Sequence, residues 1–201
     1  MNRKILLVGL ASLLLIAGVA AGVFLFSKPA GFRGTTYGEP YPVAKEIELS
    51  QGNGHRFRLS EMRGKTVLLF FGYTSCPDVC PTTLAELKQA LGELGEEKAK
   101  QVQVLFITVD PERDNPERIQ EYVNHFNPDF IGLSGTESEL IPVWQNYGVF
   151  REMVEGTSAV GYIVNHTARV TLIDQDGNMR VSFAFETPVE DIVHDLKLLL
   201  N

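Results

Sequence analysis

The chain has only two cysteines among its 201 residues, Cys76 and Cys80, and both lie in the segment FFGYTSCPDVCPTTL. Three residues separate them, and a proline follows each one, at Pro77 and at Pro81. A close pair of thiols can form a structural disulfide, act as a redox couple, or bind a metal ion. The neighbouring residues and the rest of the chain decide among these three kinds of site.

A structural disulfide is the weakest of the three interpretations. A bond between Cys76 and Cys80 would close a loop of about five residues, which the chain-entropy model credits with roughly 2 kcal/mol of stability. The same model gives about 4.7 kcal/mol for a loop of about a hundred residues. So short a loop is therefore a poor place for a bond that serves stability alone.

The segment around Cys80 favours a reactive thiolate. Proline is best tolerated at the first position of a helix, so Pro81 predicts a helix that begins there with Cys80 as its cap. The positive end of the helix dipole lowers the pKa of a thiol at that position, and the thiolate is both a nucleophile and a metal ligand. Two thiolates suit Cu(I), zinc or an iron–sulfur cluster, but closed zinc and cluster sites use four ligands. A metal site here would therefore favour copper with one further donor.

Histidine is the most suitable further donor, and the chain has four histidines. His55 lies in a predicted turn. His125 and His194 lie on predicted helices and are expected at the surface. His166, in the segment NHTARVTLID, directly precedes a strand of the buried type. The residues alone leave a structural role for His166 open beside the role of a ligand.

The elements that position these side chains follow from the hydrophobic pattern. Near-continuous apolar runs predict buried strands at Lys65–Thr74 and Val102–Asp110. Asn115 and Pro116 are typical of the start of a helix. The other predicted elements are a hairpin over 44–62, helices over 83–94, 115–126, 137–147 and 188–200, a short strand over 130–135, and a hairpin formed by 168–174 and 179–185.

This order of elements predicts an α/β thioredoxin-like fold, in which helices cover both faces of a central mixed sheet. The cysteine pair falls in the loop that leaves the first buried strand. Ligands of open α/β sheets bind beyond the carboxyl ends of such strands. The two thiols therefore lie at the edge of the sheet where we expect a functional site.

The N-terminal segment differs in kind from the rest of the chain. Residues 5–26 are apolar except for Ser12, and a helix of that length would measure roughly 33 Å, enough to cross a membrane. Residues 1–28 are therefore predicted to form a transmembrane helix that anchors the chain, with a cleaved signal peptide as the alternative. Residues 29–42 are rich in Gly, Pro, Thr and Tyr, which is typical of a linker, and residues 43–201 form the predicted domain.

The formal net charge of -7 argues against a nucleic-acid partner, because nucleic acids select basic surfaces. The same charge argues against attraction of the domain to an anionic membrane face. The membrane contact that we expect is that of the N-terminal helix.

Four segments together resemble the Sco/SenC family: FFGYTSCPDVCPTTL, TVDPERDNPERIQEYVNHF, FIGLSGT and NHTARVTLIDQDG. Members of this family are membrane-anchored, thioredoxin-like copper proteins that assist the assembly of cytochrome c oxidase. The resemblance covers roughly residues 43–200. It implies a copper site formed by Cys76, Cys80 and His166.

The match to the family is weaker around the implied ligands. Family members usually have aspartate just before this histidine and another aspartate several residues earlier, where this chain has Asn165 and Gly161. Carboxylates that contact metal ligands tune metal affinity. Two carboxylates elsewhere in the chain are candidates for that role: Asp78 lies between the cysteines, and Asp110 lies at the end of the second buried strand. An ordinary role in a loop or turn is the alternative for each.

The resemblance implies a copper metallochaperone that delivers its metal to the copper centre of cytochrome c oxidase subunit II, with other copper chaperones as further partners. The corresponding location is a bacterial inner membrane, with the domain on the periplasmic side.

The main alternative is a thiol–disulfide oxidoreductase, which would use Cys76 and Cys80 as a redox pair to reduce the cysteines of that copper centre. Proteins of that class resemble one another in having two residues between the cysteines and a proline that faces them. This chain has three residues there and no proline between Pro142 and Pro188. A peroxidase is a weaker alternative, because its attacking cysteine follows a threonine with two residues between, and only one separates Thr74 from Cys76.

Overall fold

A computed structural model describes residue 16 and residues 31–155 and 161–200. The chain divides into two compact units, Met1–Gly31 and Phe32–Asn201, and the described residues belong almost entirely to the second. The predicted anchor lies outside the described residues, apart from Ile16. Within the described residues, none of the helices has the length and apolar character needed to span a membrane.

The described part of the second unit contains ten strands and five α-helices. The strands are β1 (Thr35–Thr36), β2 (Glu48–Gln51), β3 (Arg56–Arg58), β4 (Thr66–Gly72), β5 (Val102–Thr108), β6 (Ile131–Ser134), β7 (Arg151–Glu155), β8 (Tyr162–His166), β9 (Arg169–Ile173) and β10 (Met179–Ala184). The helices are α1 (Val79–Leu94), α2 (Glu96–Ala99), α3 (Pro116–Asn124), α4 (Glu137–Asn146) and α5 (Val189–Leu199), and a 3₁₀ helix covers Leu59–Met62. Each strand and helix predicted within residues 43–201 is present.

Eight of the strands form one mixed sheet in the order β1-β10-β9-β4-β5-β6-β2-β3. β5 lies parallel to both β4 and β6, and the other neighbours are antiparallel. β4 and β5 are buried along their whole length, which explains their continuous apolar sequences. The register pairs Gly72 with Thr108, so the segments that follow the two strands leave the sheet side by side.

Helix α3 packs closely on β6. A Cβ atom added to Gly132 would lie 2.7 Å from the carbonyl oxygen of Ile119, so glycine is required at this approach. As predicted, Asn115 caps α3, accepting a hydrogen bond from the N–H of Arg118 at 2.8 Å, and Pro116 is its first residue. This cap fixes the end of the segment that joins β5 to α3.

Strand β1 lies within the segment predicted as a linker. It pairs with β10, and the buried carboxylate of Asp195 on α5 accepts hydrogen bonds from the N–H groups of Arg33 and Gly34 at 2.8 Å and 2.9 Å. Composition did not indicate these contacts, because a strand of two residues has no recognisable periodicity. The boundaries of the anchor and the linker stay predictions.

Strands β7 and β8 form a separate two-stranded ribbon that the sequence did not predict. β7 reads REMVE and is largely exposed, so it lacks the apolar signal of a core strand. Its first residue, Arg151, pairs with His166, the last residue of β8. β9 begins at Arg169, so the prediction that a strand follows His166 is confirmed.

Candidate metal centre

The cysteine loop leaves the carboxyl end of β4 and leads into α1. It begins with a tight turn, in which the N–H of Cys76 donates to the carbonyl oxygen of Tyr73 at 3.2 Å. The residue after Tyr73 is anchored as well, because the N–H and the hydroxyl of Thr74 donate to the carboxylate of Asp114 at 3.0 Å and 2.5 Å. The loop is therefore attached to the segment that follows β5.

Helix α1 begins earlier than the sequence predicted. Its first residue is Val79 and its cap is Asp78, so Cys80 is the second helical residue. The prediction that Cys80 caps a helix beginning at Pro81 was wrong. The third position tolerates proline because the N–H groups of the first turn have no partner within the helix.

The two sulfur atoms have different environments. Both cysteines are free thiols; Cys80 is completely buried and Cys76 is partly exposed. A hydrogen bond from the Cys80 thiol, aided by backbone N–H groups and opposed by burial, lowers the pKa of Cys76 to about 4. The same hydrogen bond, together with burial, raises the pKa of Cys80. The prediction that the helix dipole lowers the pKa of Cys80 was therefore wrong, and Cys76 is the thiol whose pKa is lowered. At neutral pH the pair therefore consists of an accessible thiolate and a buried thiol.

His166 lies beside the cysteine pair, as the family resemblance implies. Its Nε2 atom is 3.8 Å from the Sγ atom of Cys80, although 86 positions separate the two residues. The other ring nitrogen, Nδ1, lies 3.1 Å from the carbonyl oxygen of Thr167. Because a carbonyl oxygen only accepts, this contact assigns a proton to Nδ1 and leaves Nε2 directed at the sulfur. In the neutral ring Nε2 then offers a lone pair.

The spacing of these donor atoms suits a metal ion. In zinc proteins the metal lies about 2.3 Å from a thiolate and about 2.0 Å from an imidazole nitrogen, which separates the two ligand atoms by roughly 3.5–3.7 Å. The 3.8 Å between Cys80 and His166 is close to that separation. Within the described part of the chain, no three Cys, His, Asp or Glu side chains already form a complete metal site. Metal binding would therefore involve side-chain adjustment and deprotonation of Cys80.

A cavity of about 210 Å³ lies next to the donors, and Cys76, Asp78, Ile163 and His166 are among the residues that line it. Cys80 does not line this cavity. A molecule that enters the cavity therefore meets Cys76 and His166 first. A larger cavity, of about 870 Å³, lies at the amino ends of β4 and β5 and is lined by none of the predicted site residues.

The two predicted supporting carboxylates occupy different places. Asp78 lines the small cavity, and its carboxylate lies 3.5 Å from the hydroxyl of Thr82. Asp110 is completely buried and does not line the cavity. Its carboxylate pairs with Arg113 and accepts a hydrogen bond from the hydroxyl of Tyr162 at 2.8 Å. The described contacts of the Asp110 carboxylate are therefore with neighbouring residues and not with the predicted ligands.

The sequence did not indicate the residues that support the histidine. The rings of Tyr73 and His166 are nearly perpendicular, with 5.8 Å between their centroids. Behind them, the guanidinium of Arg113 stacks 3.8 Å above the ring of Tyr162. Tyr73 could have been identified by its position directly after β4. Tyr162 could not, since β8 has no sequence signal of its own.

Asn165 and Gly161 occupy the positions where the family usually has aspartate. Asn165 is exposed on β8, and it lines the same small cavity as His166. Gly161 has a φ angle of +80°, a conformation that favours glycine. The described contacts of the His166 ring come from Tyr73, Thr167 and the cysteines instead.

Alkylation tests the difference between the two thiols. In the reduced, metal-free protein at pH 6, we expect iodoacetamide to modify Cys76 at least roughly ten times faster than Cys80. Cys76 is partly exposed with a lowered pKa, whereas Cys80 is buried with a raised pKa. Peptide mass spectrometry after short exposures measures the extent at each residue. Equal or reversed rates would contradict the description of the pair.

Comparison with known proteins gives consistent matches. The SCO1/SenC family model matches residues 35–201. A SCO2-like protein of Rickettsia felis is 34% identical over 189 residues, which cover 91% of this chain and 92% of that protein. The solution structure of apo Sco1 from Thermus thermophilus is 38% identical, with a TM-score of 0.75, and the match covers 84% of this chain and 97% of that chain. Bradyrhizobium japonicum ScoI with copper bound is 37% identical, with a TM-score of 0.70 and coverage of 78% and 99%.

These matches agree with the mixed sheet described above. The fold is the thioredoxin-like α/β fold of Sco proteins, so the fold class predicted from the order of the elements is confirmed. The family model spans the sheet, the cysteine loop and the histidine strand. On this evidence the chain belongs to the SCO1/SenC family.

Proposed function

We propose that this protein is a copper metallochaperone, in which Cys76, Cys80 and His166 bind one copper ion. The observation that carries the proposal is the 3.8 Å contact between Cys80 and His166, which joins the cysteine loop to the end of β8. Thiolates are soft ligands that select Cu(I), and imidazole also suits copper. Structures of ScoI from Bradyrhizobium japonicum, ScoI from Arabidopsis thaliana and yeast Sco1 were solved with copper bound, which supports the choice of metal.

The arrangement of the thiols suits the transfer of copper to a partner. Cys76 is partly exposed and lines the cavity, so an incoming thiolate can replace it as a ligand before the buried Cys80 is displaced. Loading requires deprotonated ligands, so the buried thiol of Cys80 releases its proton when copper binds. Copper binding therefore requires both cysteines in the reduced state.

We infer that the target is the copper centre of cytochrome c oxidase subunit II, following the family resemblance, and that other copper chaperones load the protein. We also infer that residues 1–28 anchor the chain in a bacterial inner membrane and that the domain faces the periplasm. The apolar run over residues 5–26 supports the anchor.

Titration of the reduced, metal-free protein with Cu(I) against a competing chelator such as bicinchoninate tests the proposal. We expect one copper ion per chain and loss of tight binding once both cysteines are alkylated. With Cu(II) we expect an intense sulfur-to-copper charge-transfer absorption. Absence of Cu(I) binding, or binding that survives alkylation unchanged, would overturn the proposal.

A second candidate function is thiol–disulfide exchange with the cysteines of the same target. The lowered pKa of Cys76, beside the buried thiol of Cys80, favours it. The Cys76 thiolate would attack a target disulfide and release one target thiolate. Cys80 would then attack Cys76, which forms the Cys76–Cys80 disulfide, releases the second target thiolate and completes a two-electron reduction.

Reduction of insulin by the metal-free protein, with dithiothreitol as reductant, separates the two candidates. We expect turnover far slower than that of a thioredoxin. A rate comparable to that of thioredoxin, in a protein that binds no Cu(I), would favour the oxidoreductase.

A further inference from the structure

The turn that follows β5 carries two buried carboxylates that are not among the proposed copper ligands. Asp110 and Asp114 are both completely buried. The N–H of Asp114 donates to the carbonyl oxygen of Asp110 at 2.9 Å, which closes the turn. Burial of an ionised carboxylate is unfavourable unless its partners satisfy it. The partners of the two carboxylates therefore indicate what the turn holds together.

Asp114 holds the cysteine loop. Its carboxylate accepts hydrogen bonds from the N–H and the hydroxyl of Thr74, at 3.0 Å and 2.5 Å, and from the hydroxyl of Thr108 at 2.9 Å. Thr74 lies two positions before Cys76. Asp114 therefore fixes the point at which the cysteine loop leaves the sheet.

Asp110 holds the strand that ends in the histidine. Its carboxylate forms an ion pair with Arg113 and accepts from the hydroxyl of Tyr162 at 2.8 Å. Burial and this hydrogen bond raise the pKa of Tyr162 to about 12, so its phenol stays protonated and donates. Arg113 donates to the carbonyl oxygen of Tyr162 at 3.0 Å. Tyr162 is the first residue of β8, and His166 is the last.

The ribbon depends on such contacts because, within the described residues, β8 pairs with β7 and with no strand of the main sheet. The guanidinium of Arg113 lies 5.5 Å from the centroid of the Tyr73 ring. The hydroxyl of Tyr73 accepts the N–H of Val164, in the middle of β8, at 3.3 Å. On the other strand, the side chain of Arg151 donates to the carbonyl oxygen of Val109. Side chains, rather than a strand ladder, therefore attach the ribbon to the sheet.

We propose that the turn Asp110–Asp114 is the positioning element of the copper site. Its Asp114 end holds the cysteine loop, and its Asp110 end, together with Arg113, holds the strand of His166. These are positioning residues, since they contact the elements that carry the ligands and not the metal. The inference rests on the proposed copper site and names the residues that bring its two halves together.

The role of Arg113 in positioning His166 is tested by making the same substitution in the wild-type protein and in a His166→Ala variant. We expect Arg113→Met to weaken Cu(I) binding about 10–100-fold, the range for loss of a group that supports a metal ligand. In a His166→Ala background we expect the same change to alter affinity less than about twofold, because no histidine ligand remains to be positioned. Equal losses in the two backgrounds would overturn the proposal.

Arg113→Met leaves Asp110 buried without its cation, so this variant can fail to fold. A double variant that removes both charges keeps the test usable in that case. Asp110→Asn combined with Arg113→Met removes both charges, and we expect the same dependence on His166. Arg113→Lys keeps the charge and should recover part of the affinity.

Arg118→Met is the matched control. Arg118 is exposed and contacts Thr74, on the cysteine side, so any loss it causes should persist in the His166→Ala background.

A measurement without metal separates this inference from the proposed function. In the Asp110→Asn/Arg113→Met variant we expect the amide of Val164 to exchange hydrogen at least about tenfold faster, with the amides of β5 unchanged. Absence of Cu(I) binding by the wild-type protein would overturn the proposed function, and with it any positioning of a copper ligand. Unchanged exchange at Val164, in a protein whose wild type binds copper, would overturn the positioning role alone.

Discussion

His166→Ala is expected to weaken Cu(I) binding by more than about 100-fold, because loss of a ligand should exceed the roughly 10–100-fold effect of losing a group that supports one. The Nε2 atom of His166 lies 3.8 Å from the sulfur of Cys80, within reach of an ion bound by both. The substitution leaves the two cysteines in place, so we expect them still to form a disulfide on oxidation. Competition with a Cu(I) chelator measures the loss of affinity.

His125→Ala is the matched control for this prediction. His125 follows the last residue of α3 and lines a cavity that contains none of the proposed ligands. We expect its replacement to change copper affinity less than about twofold. Wild-type affinity in His166→Ala would show that the three-ligand site is wrong. An equal loss in the two variants would show that the effect is not specific to the site.

The central strands and the position of the cysteine loop could be predicted from the sequence. Strands buried on both faces require continuous apolar residues, and β4 and β5 are buried at every position. Neighbouring parallel strands end at the same edge, so the loop after β4 had to lie beside the segment after β5. Local chemistry at Asn115 and Pro116 likewise marked the start of α3.

The histidine half of the site could not be predicted from local patterns. β7 is charged and largely exposed, and β8 buries only Val164, so neither strand has the signal of a core element. The contacts that hold β8 join residues far apart in the chain; Arg113 and Tyr162 are 49 positions apart. Hydrophobic periodicity carries no information about such pairs. The assignment of His166 as a ligand therefore depended on the family resemblance rather than on its neighbours.

The start of α1 shows a smaller limit of the same kind. Pro81 is acceptable at each of the first helical positions as far as hydrogen bonding is concerned, because none of them needs its N–H within the helix. The sequence therefore located the first turn but not its first residue. This difference matters for the site, because Cys80 lies inside the helix, where its side chain is completely buried.

Gly72→Ala is expected to reduce both the stability of the protein and its affinity for copper. A Cβ atom at Gly72 would lie 2.5 Å from Cε2 of Phe106 and 2.7 Å from Sγ of Cys80. Both side chains are completely buried, so neither can move without displacing its neighbours. Overpacking of this kind costs about 1–3 kcal/mol in the free energy of unfolding. Because one displaced atom is a proposed ligand, copper affinity should fall as well.

Gly92→Ala is the matched control, because it adds the same methyl group at a position with open space around it. Gly92 lies within α1, and apart from the adjacent backbone of the helix itself no described atom lies within 4 Å of the added Cβ. Alanine is more favourable than glycine inside a helix by about 0.5–1 kcal/mol, so this variant should be slightly more stable and bind copper normally. Urea denaturation and Cu(I) competition measure the two quantities for both variants. Wild-type stability and affinity in Gly72→Ala would contradict the close packing of β4 against the Cys80 sulfur. A loss in Gly72→Ala but not in Gly92→Ala would show that this packing against β4 fixes the position of the sulfur.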